Sequence, residues 1–339
     1  MNIYRLLRHL KSLAPTVLAA LLVAITITVI AKPAVTARAE AGQAFSISPS
    51  LIELSANPGD AVKATVKFTN ISQGELLVKT QFNDFGAKNE TGDPNIIFDD
   101  TDNSTHSLRT WIGTPQPFLI KSKEAKTIDF TINVPKNAEP GGHYAVIRFS
   151  GNAPELEQTG VALTASVGSL VLLTVSGDIQ EKASVAEFYS ATADFSKRSF
   201  FETGPVSLVE RVKNDGNVHL KPTGMVTVKD MFGHVISSSR VNGTAGDPKD
   251  GPRSILPKSI RRFEQTFGAN QLLFGRYEAT MDLQYGSKGT KISSTTVFWV
   301  IPYTLIAIVL VGLIALGFFG RTALRRYNEH IIKSARKRR

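Results

Sequence analysis

Residues 45–72, FSISPSLIELSANPGDAVKATVKFTNIS, decide the fold of this chain. They contain two runs, 45–54 and 61–69, in which apolar and polar residues alternate. Alternation with a period of two is typical of a strand that buries one face. Asn57, Pro58, Gly59 and Asp60 separate the runs, and all four residue types favour turns. The stretch therefore predicts two strands joined by a tight turn.

The same pattern continues along most of the chain. Further runs lie at 76–85, 118–134, 143–151 and 161–177, and a second series begins near residue 182. Short strands separated by frequent turn residues, without a helical period, favour β-sandwiches. We predict an all-β fold of two tandem immunoglobulin-like β-sandwich domains, at 40–179 and 180–295, plus one C-terminal transmembrane helix.

The C-terminal region carries a membrane signal. Residues 296–320 contain no charged side chain, and at 1.5 Å per residue about twenty of them cross a hydrocarbon core of ~30 Å. Trp299 and Tyr303 stand at the start of the run, where amphipathic rings favour the membrane interface. The basic tail, 321–339, includes Arg321, Arg325 and Arg326, and the positive-inside rule places it in the cytoplasm. We therefore predict a single-pass cell-membrane protein with most of its chain outside the cytoplasm.

The N-terminal region carries an export signal. Arg5, Arg8 and Lys11 precede an apolar run, and Ala37 and Ala39 form a small-x-small cleavage motif. These features predict a signal peptide at 1–39. The alternative is an uncleaved first span, because residues 12–31 are long enough to cross a bilayer.

Most of the net charge of +10 lies in these two terminal segments. Residues 1–39 hold five Lys or Arg and no acid, and 321–339 hold eight against one, which leaves 26 basic and 28 acidic residues in 40–320. A nearly neutral exported part gives no basic face for nucleic acid, so no nucleic-acid partner is predicted. The chain has no cysteine, which favours a bacterial surface.

Two stretches resemble a known family. Residues 45–72 and "VPKNAEPGGHYAVIRFSG", 134–151, are similar to the first domain of bacterial WxL-interacting proteins, the domain-of-unknown-function 916 type. The plan of signal peptide, two immunoglobulin-like domains, one span and a basic tail is similar too. The resemblance implies a first domain that contacts peptidoglycan and a second that binds a partner surface protein. The second domain departs from the pattern, since "NDGNVHLKPTG", 214–224, reads as a generic hairpin turn.

The segment "EPGGHYAVIRF", 139–149, is the best-defined candidate for a site. Pro140 fixes φ, and the two glycines after it permit a sharp turn into a strand. In that strand Tyr144, Val146 and Arg148 face one way and His143 faces the other. Tyr144 is predicted to lock the corner by a hydrogen bond to the backbone. The alternative is ligand contact by His143, Tyr144 or Arg148.

A long excursion, 83–118, interrupts the strands of the first domain. Loops of this length are commonly functional. The acids Asp99, Asp100 and Asp102 lie near Trp111, a combination that suits glycan stacking or Ca²⁺. The alternatives are a solvated loop and a core position for Trp111. The glycine and closing glutamate of a calcium loop are missing, so no metal site is predicted.

Signatures of catalysis are missing as well. The chain has no thiol nucleophile and no G-x-S-x-G, H-E-x-x-H or phosphate-loop motif. We therefore predict a non-enzymatic protein without cofactor, a surface scaffold whose partner is a cell-wall glycan or a surface protein. The alternative is an export or assembly accessory that engages secreted clients by strand addition, as pilus-type chaperones do.

Overall fold

A computed structural model describes residues 44–98, 106–152, 165–243, 251–269 and 271–336. The predicted signal peptide and Asp99, Asp100 and Asp102 lie outside the described residues. The described residues form two β regions followed by one long helix. We name residues 44–175 the N-terminal β region and residues 183–300 the C-terminal β region.

The described residues of the N-terminal β region form nine strands and one short 3₁₀ helix. The strands are β1 (Phe45–Ser48), β2 (Leu51–Ala56), β3 (Ala61–Asn70), β4 (Leu76–Ala87), β5 (Pro94–Ile97), β6 (Phe118–Ile120), β7 (Ala125–Asn133), β8 (Gly141–Asn152) and β9 (Ala165–Val175), and the 3₁₀ helix is Arg109–Trp111. One sheet has the order β1-β3-β7, and the other has the order β2-β9-β8-β4-β5, with β6 also paired to β4. All these pairs are antiparallel except β2 with β9, which is parallel.

In the C-terminal β region, the part of the chain that the structure describes forms eight strands. They are β10 (Ala183–Ala191), β11 (Phe200–Phe201), β12 (Val206–Asn214), β13 (Thr223–Lys229), β14 (Val235–Val241), β15 (Ile260–Phe267), β16 (Gly275–Tyr285) and β17 (Thr290–Val300). One sheet has the order β10-β12-β15 and the other β11-β17-β16-β13-β14. The all-β prediction with sandwich-like sheets is therefore confirmed.

Each β region has its own apolar core between its two sheets. The N-terminal core includes Phe68 of β3, Phe130 of β7 and Phe149 of β8, all at most 1% exposed. The C-terminal core includes Leu208 of β12 and Phe298 of β17. The alternation in the sequence produces this arrangement, because every second residue of a strand faces the opposite sheet. Whether the two regions fold as two independent domains stays a prediction.

A single long helix, α1 (Tyr303–Arg336), follows β17. Within the described part of the chain it is the one helix long and apolar enough to cross a membrane, over Tyr303–Asn328, and its side chains there are almost all exposed. The helix begins at Tyr303 and not at residue 296, because residues 296–300 complete β17. The uncharged run thus contains both a strand end and a helix. Pro302 lies between them, and proline suits the first turn of a helix.

The segment 214–224 is not a hairpin turn. It leads from β12 to β13, and those strands belong to different sheets. The prediction was wrong because "NDG" satisfies the local chemistry of a hairpin, whereas β12 and β13 find their partners elsewhere in the chain.

Candidate binding site at the junction of the two β regions

The strand that follows the "EPGG" corner has the two faces that the sequence predicts, but the hydroxyl of Tyr144 has a different partner. Ala145, Ile147 and Phe149 face the N-terminal core, while Tyr144 and Val146 face the opposite side. The Tyr144 hydroxyl does not bond to the backbone of its own corner but reaches across to His219. It lies 3.5 Å from Nδ1 of His219, a residue of the C-terminal β region. The corner therefore belongs to a contact between the two regions.

Gly142 makes this packing possible. A Cβ at position 142 would overlap the Tyr144 hydroxyl. The preceding Gly141 has φ +133°, which few other residues adopt. The glycine pair is thus required by a close approach and by a backbone angle.

A row of rings runs through the junction. Trp111 stacks on His143 with 4.4 Å between ring centroids, His143 lies 6.4 Å from His106, and His106 lies 6.1 Å from Tyr144. Tyr144 is in turn 5.9 Å from His219. His143 and Tyr144 are only 2% and 3% exposed, and Trp111 is half-buried against the N-terminal core. These positions supply packing in this structure, and ligand contact by them stays a prediction.

Two histidines of the row, His143 and His219, favour the neutral state. Burial lowers the pKa of His143, although its Nε2 donates to the carbonyl oxygen of Glu139 at 2.9 Å. Burial also lowers the pKa of His219, against the opposing effect of Glu53. Protonation of either ring would therefore place a charge in a poorly hydrated position.

Asn217 joins the backbones of the two regions. Its carbonyl oxygen accepts from the N–H of Gly142 at 2.8 Å. Its side-chain Nδ2 donates to the carbonyl oxygen of Pro140 at 3.2 Å, and its Oδ1 accepts from the N–H of Gln180 at 2.8 Å. Asn217, the last residue of "NDGN", therefore connects the two regions by hydrogen bonds.

Ion pairs also connect the two β regions at the periphery of the junction. Arg211 of β12 binds Glu90 through two hydrogen bonds of 2.5 and 2.8 Å and reaches Glu187 at 3.0 Å. The Arg211 hydrogen bond lowers the pKa of Glu90. On another side, Lys221 Nζ lies 2.5 Å from Glu53 of β2. Two-point pairing of guanidinium and carboxylate fixes orientation as well as distance.

An apolar cavity of about 230 Å³ lies between the regions. Its N-terminal wall is the outer face of the larger sheet, including Leu51 of β2 and Leu170 and Leu172 of β9. Its C-terminal wall is residues 253–256 and 259–261, including Leu256. The cavity can take one apolar side chain, because pockets that hold whole drug-sized ligands begin at about 300 Å³.

Arg261 brings a cation to the wall of the cavity. Burial lowers its pKa, with a further contribution from nearby Arg253. One guanidinium nitrogen donates to the carbonyl oxygen of Ser254 at 2.8 Å, and the group lies against Gly92. No carboxylate among the described residues lies within ion-pair distance of it. The cavity thus combines a largely apolar lining with the partly desolvated cation of Arg261 and with the side chains of Arg253 and Asp93.

One strand of the larger sheet has an edge that is only partly covered. β2 pairs with β9 from Leu170 to Val175, whereas residues 165–169 pair with β8 alone in the described structure. The N–H of Leu170 bonds to Ser50 on the β2 side, so by alternation the backbone groups of Ser166 and Gly168 point to the same open side. Both residues are exposed. A free ladder of this kind can accept another strand.

Arg148 lies apart from the junction residues with which it was predicted. It donates to Oε1 of Gln81 at 2.5 Å and stacks 5.0 Å from the ring of Phe98, which is 64% exposed. Phe98 directly precedes Asp99 in the sequence, and Asp99, Asp100 and Asp102 lie outside the described residues.

The remaining acids of the excursion have structural partners. Asp84 is 4% exposed and accepts from the hydroxyl of Ser107 at 2.7 Å and from two backbone N–H groups. Glu90 is held by Arg211. The excursion also contains β5 and the 3₁₀ helix, so most of its described part is ordered around these anchors.

Sequence reasoning missed the residues that join the two regions. Glu90 and Arg211 are separated by 121 positions, and Pro140 and Asn217 by 77. No local pattern connects such pairs, because neither belongs to a shared strand or helix. The "N-x-G" and "P-G-G" motifs were the available signal. They indicate that the chain turns at these positions, but not which residues the turns contact.

No family model matches the chain, and no curated protein matches it. Solved structures of low similarity do. The class 5 fimbriae chaperone CfaA is 12% identical with a TM-score of 0.36, covering 76% of this chain and 100% of its own. The YadV chaperone is 12% identical with a TM-score of 0.35, covering 75% and 99%. The E. coli chaperone DraB is 12% identical with a TM-score of 0.34, covering 76% and 97%. Likeness at this level assigns this chain neither a family nor a function.

Proposed function

We propose that this chain is a single-pass membrane protein that binds another exported polypeptide by strand addition at the open edge of β9. The observation that carries the proposal is that, among the described residues, Ser166 and Gly168 have no strand partner on the side of β9 opposite β8, next to the point where β2 begins at Leu51. A strand added there would occupy the position that β2 occupies further along the sheet. Main-chain hydrogen bonds would provide affinity without a particular sequence.

The neighbouring cavity would provide selectivity. Leu51 and Leu170 line it and also mark the end of the open edge. A strand beside β9 projects every second side chain to the outer face of the sheet, so one of its apolar side chains can enter the cavity. Arg261 favours a partner with a carboxylate close to that side chain.

Helix α1 would hold this site at a membrane. The uncharged part of the helix, 303–320, has 18 residues and is about 27 Å long at 1.5 Å per residue, close to the ~30 Å of a hydrocarbon core, and beyond the first turn its side chains are almost all exposed. The basic residues Arg321, Arg325 and Arg326 favour a cytoplasmic position for its end.

Hydrogen exchange tests strand addition directly. The probe is a ten-residue peptide of alternating valine and threonine, added to the full chain in detergent micelles. We expect slower exchange of the Ser166 and Gly168 amide protons. Ser166→Pro removes one outward N–H and should abolish the effect, whereas the matched control Ser166→Ala should retain it. Strand addition at this edge would be refuted if the peptide slowed amide exchange equally in both variants, or if it slowed exchange only outside residues 165–169.

A second candidate function is contact with cell-wall glycan by the N-terminal β region. The exposed ring of Phe98, flanked by Arg148 and Gln81, favours it, because aromatic faces bordered by polar groups suit sugar rings. The resemblance to WxL-interacting proteins implies the same partner, and it stays a prediction.

Sedimentation with purified peptidoglycan tests the glycan candidate. We expect Phe98→Ala to release the full chain from the pellet. Phe200→Ala, which removes an equally exposed phenylalanine from the C-terminal β region, is the matched control. Retention of both variants, or release of both, would count against a glycan site at Phe98.

A further inference from the structure

Five large apolar side chains are exposed at one end of the C-terminal β region. Their exposed fractions range from 43% to 79%: Phe200 67%, Met231 43%, Phe232 77%, Leu272 79% and Phe274 61%. We call them the sheet-end residues. Single exposed apolar residues are ordinary on a protein surface, but a contiguous group of this size marks an interaction surface.

The strand register shows that the sheet-end residues share one end of the sandwich. Gly275 begins β16 opposite Val300, the last residue of β17. Phe200 pairs with Trp299 at the same level. Phe274 directly precedes Gly275, and the Met231 side chain lies against Gly275. The loops before β16 and after β13 therefore project beyond the same sheet end.

Helix α1 leaves the sandwich at this end. Only Ile301 and Pro302 separate the last residue of β17 from Tyr303. The hydroxyl of Thr304 donates to Glu202, in the loop after β11, which ties the first turn of the helix to the sheet end. The sheet-end residues thus lie beside the first turn of the helix.

The loop that carries Phe232 has a defined shape. Asp230 Oδ1 accepts from the backbone N–H groups of Phe232 and His234, both at 2.9 Å. Gly233 takes φ +86°, as tight hairpin tips require. The phenylalanine is therefore presented outward by a hydrogen-bonded tip.

We propose that the sheet-end residues insert into the lipid interface of the membrane that α1 crosses. The inference rests on the membrane anchoring proposed above. If α1 begins at the interface, then Phe232 and Phe274 lie at the depth where Trp299 and Tyr303 also lie, and aromatic rings favour that zone. Their insertion would hold the C-terminal β region at a fixed height and angle on the bilayer. The open edge of β9 would then be presented in one orientation.

The absence of cysteine from the chain allows a direct test. Single-cysteine variants Phe232→Cys and Phe274→Cys are labelled with an environment-sensitive nitrobenzoxadiazole dye, and the full chain is reconstituted in phosphatidylcholine vesicles. Two controls are labelled in the same way. Lys288→Cys lies in the exposed turn at the opposite sheet end, and Gly312→Cys lies within α1. Some vesicles carry nitroxide at the headgroup and others deep in the acyl chain.

We expect the dyes at 232 and 274 to emit to the blue of the dye at 288 and to lose most of their fluorescence to headgroup nitroxide. The dye at 312 should be quenched by deep nitroxide. If 232 and 274 behave like 288 while 312 is quenched, the inference is wrong and the anchoring stands. A blue shift without lipid quenching would mean that protein covers the residues, which also overturns it. If 312 is not quenched, the anchoring fails and the inference falls with it.

Discussion

Gly142 and Tyr144 show how one residue sets a contact between distant parts of the chain. The glycine leaves space for the tyrosine hydroxyl, which reaches His219. The ring of Tyr144 is almost fully buried and its pKa is raised by that burial. A phenol in this position is therefore a neutral packing group.

We expect Gly142→Ala to destabilise the chain by about 1–3 kcal/mol, because the added methyl group overlaps the hydroxyl. Tyr144→Phe should cost less, since the hydrogen bond it removes is long. In the double variant the overlap with the hydroxyl is removed, but Cζ of the ring stays 2.5 Å from the added methyl carbon, so the overlap is relieved only in part and the two effects should be somewhat less than additive. Denaturant unfolding of the four proteins measures the cycle. Additive effects would show that the methyl group meets a different obstacle.

Glu210 is a carboxyl group buried within the C-terminal core. It is 0% exposed, lies between Phe188 and Phe263 on neighbouring strands, and its side-chain oxygens have no hydrogen-bond partner among the described residues. Burial raises its pKa to about 9. The group is thus protonated in the folded chain at neutral pH.

This pKa predicts a pH dependence of stability with a definite sign. Between the ordinary value near 4.5 and about 9, the folded state binds one more proton than the unfolded state, so stability falls as pH rises, by at most about 1.4 kcal/mol per pH unit. We expect Glu210→Gln to remove that slope and to stabilise the chain at pH 8. Urea unfolding from pH 5 to 9 measures it. An unchanged slope in the variant would contradict the assignment.

At the scale of elements, the uncharged run 296–320 contributes to two structures, the end of strand β17 and the helix α1. Residues 296–300 end β17 in the C-terminal core, and α1 begins after two intervening residues. A buried strand end and a membrane span are both built from apolar residues, so the composition of this run does not distinguish them. The pairing of β17 with β16 assigns residues 296–300 to the strand.

We expect Val311→Arg to prevent stable membrane integration of α1, because an arginine at the centre of a span costs about 2.5–3.5 kcal/mol. Thr322→Arg, beside the natural Arg321, should leave integration unchanged. Carbonate extraction of membranes from cells that express each variant measures this. Integration of Val311→Arg at the level of the parent chain would count against α1 as the anchor.

At the scale of the whole molecule, we expect the contacts of the junction to couple the unfolding of the two β regions. The coupling should be sensitive to acid, because the pKa values of His143 and His219 are lowered by burial. Below about pH 6.5 the unfolded state binds more protons than the folded state, so acidification destabilises the folded chain. Glu139, His106, Glu53 and Lys221 face these rings and modify the effect.

The acid effect opposes that of Glu210, so it is best measured in a Glu210→Gln background. There we expect a lower melting temperature at pH 5 than at pH 7. His143→Gln with His219→Gln should reduce that difference. If the melting temperatures at the two pH values are equal in the background protein, the buried histidines do not control stability.

Arg211 provides a test of cooperation between the regions. Arg211→Gln breaks the pair with Glu90 and should cost about 1 kcal/mol. We expect the van't Hoff enthalpy of unfolding to fall below the calorimetric enthalpy, because the regions then unfold separately. Lys213→Gln is the matched control, since Lys213 pairs with Asp215 within the C-terminal β region. Identical enthalpy ratios in the two variants would contradict coupling through Arg211.

The sequence alone determined the features that depend on local chemistry. Alternation identified the strands and the faces of β8, composition identified the apolar helix, and glycine and proline identified the turns. These features repeat within a few residues, so a short window contains the information. The start of α1 was misplaced because apolarity alone does not distinguish strand from span.

Only the tertiary structure decided how the two regions meet. It showed the pairs Glu90 with Arg211 and Tyr144 with His219, the cavity beside Leu170, and the open edge at Ser166 and Gly168. It also showed that the partner of Tyr144 lies in the other β region, that Arg148 lies away from the junction, and that the exposed residues lie around the start of α1. Each depends on contacts between residues far apart in the chain, which are set by sheet order and packing and leave no local pattern in the sequence.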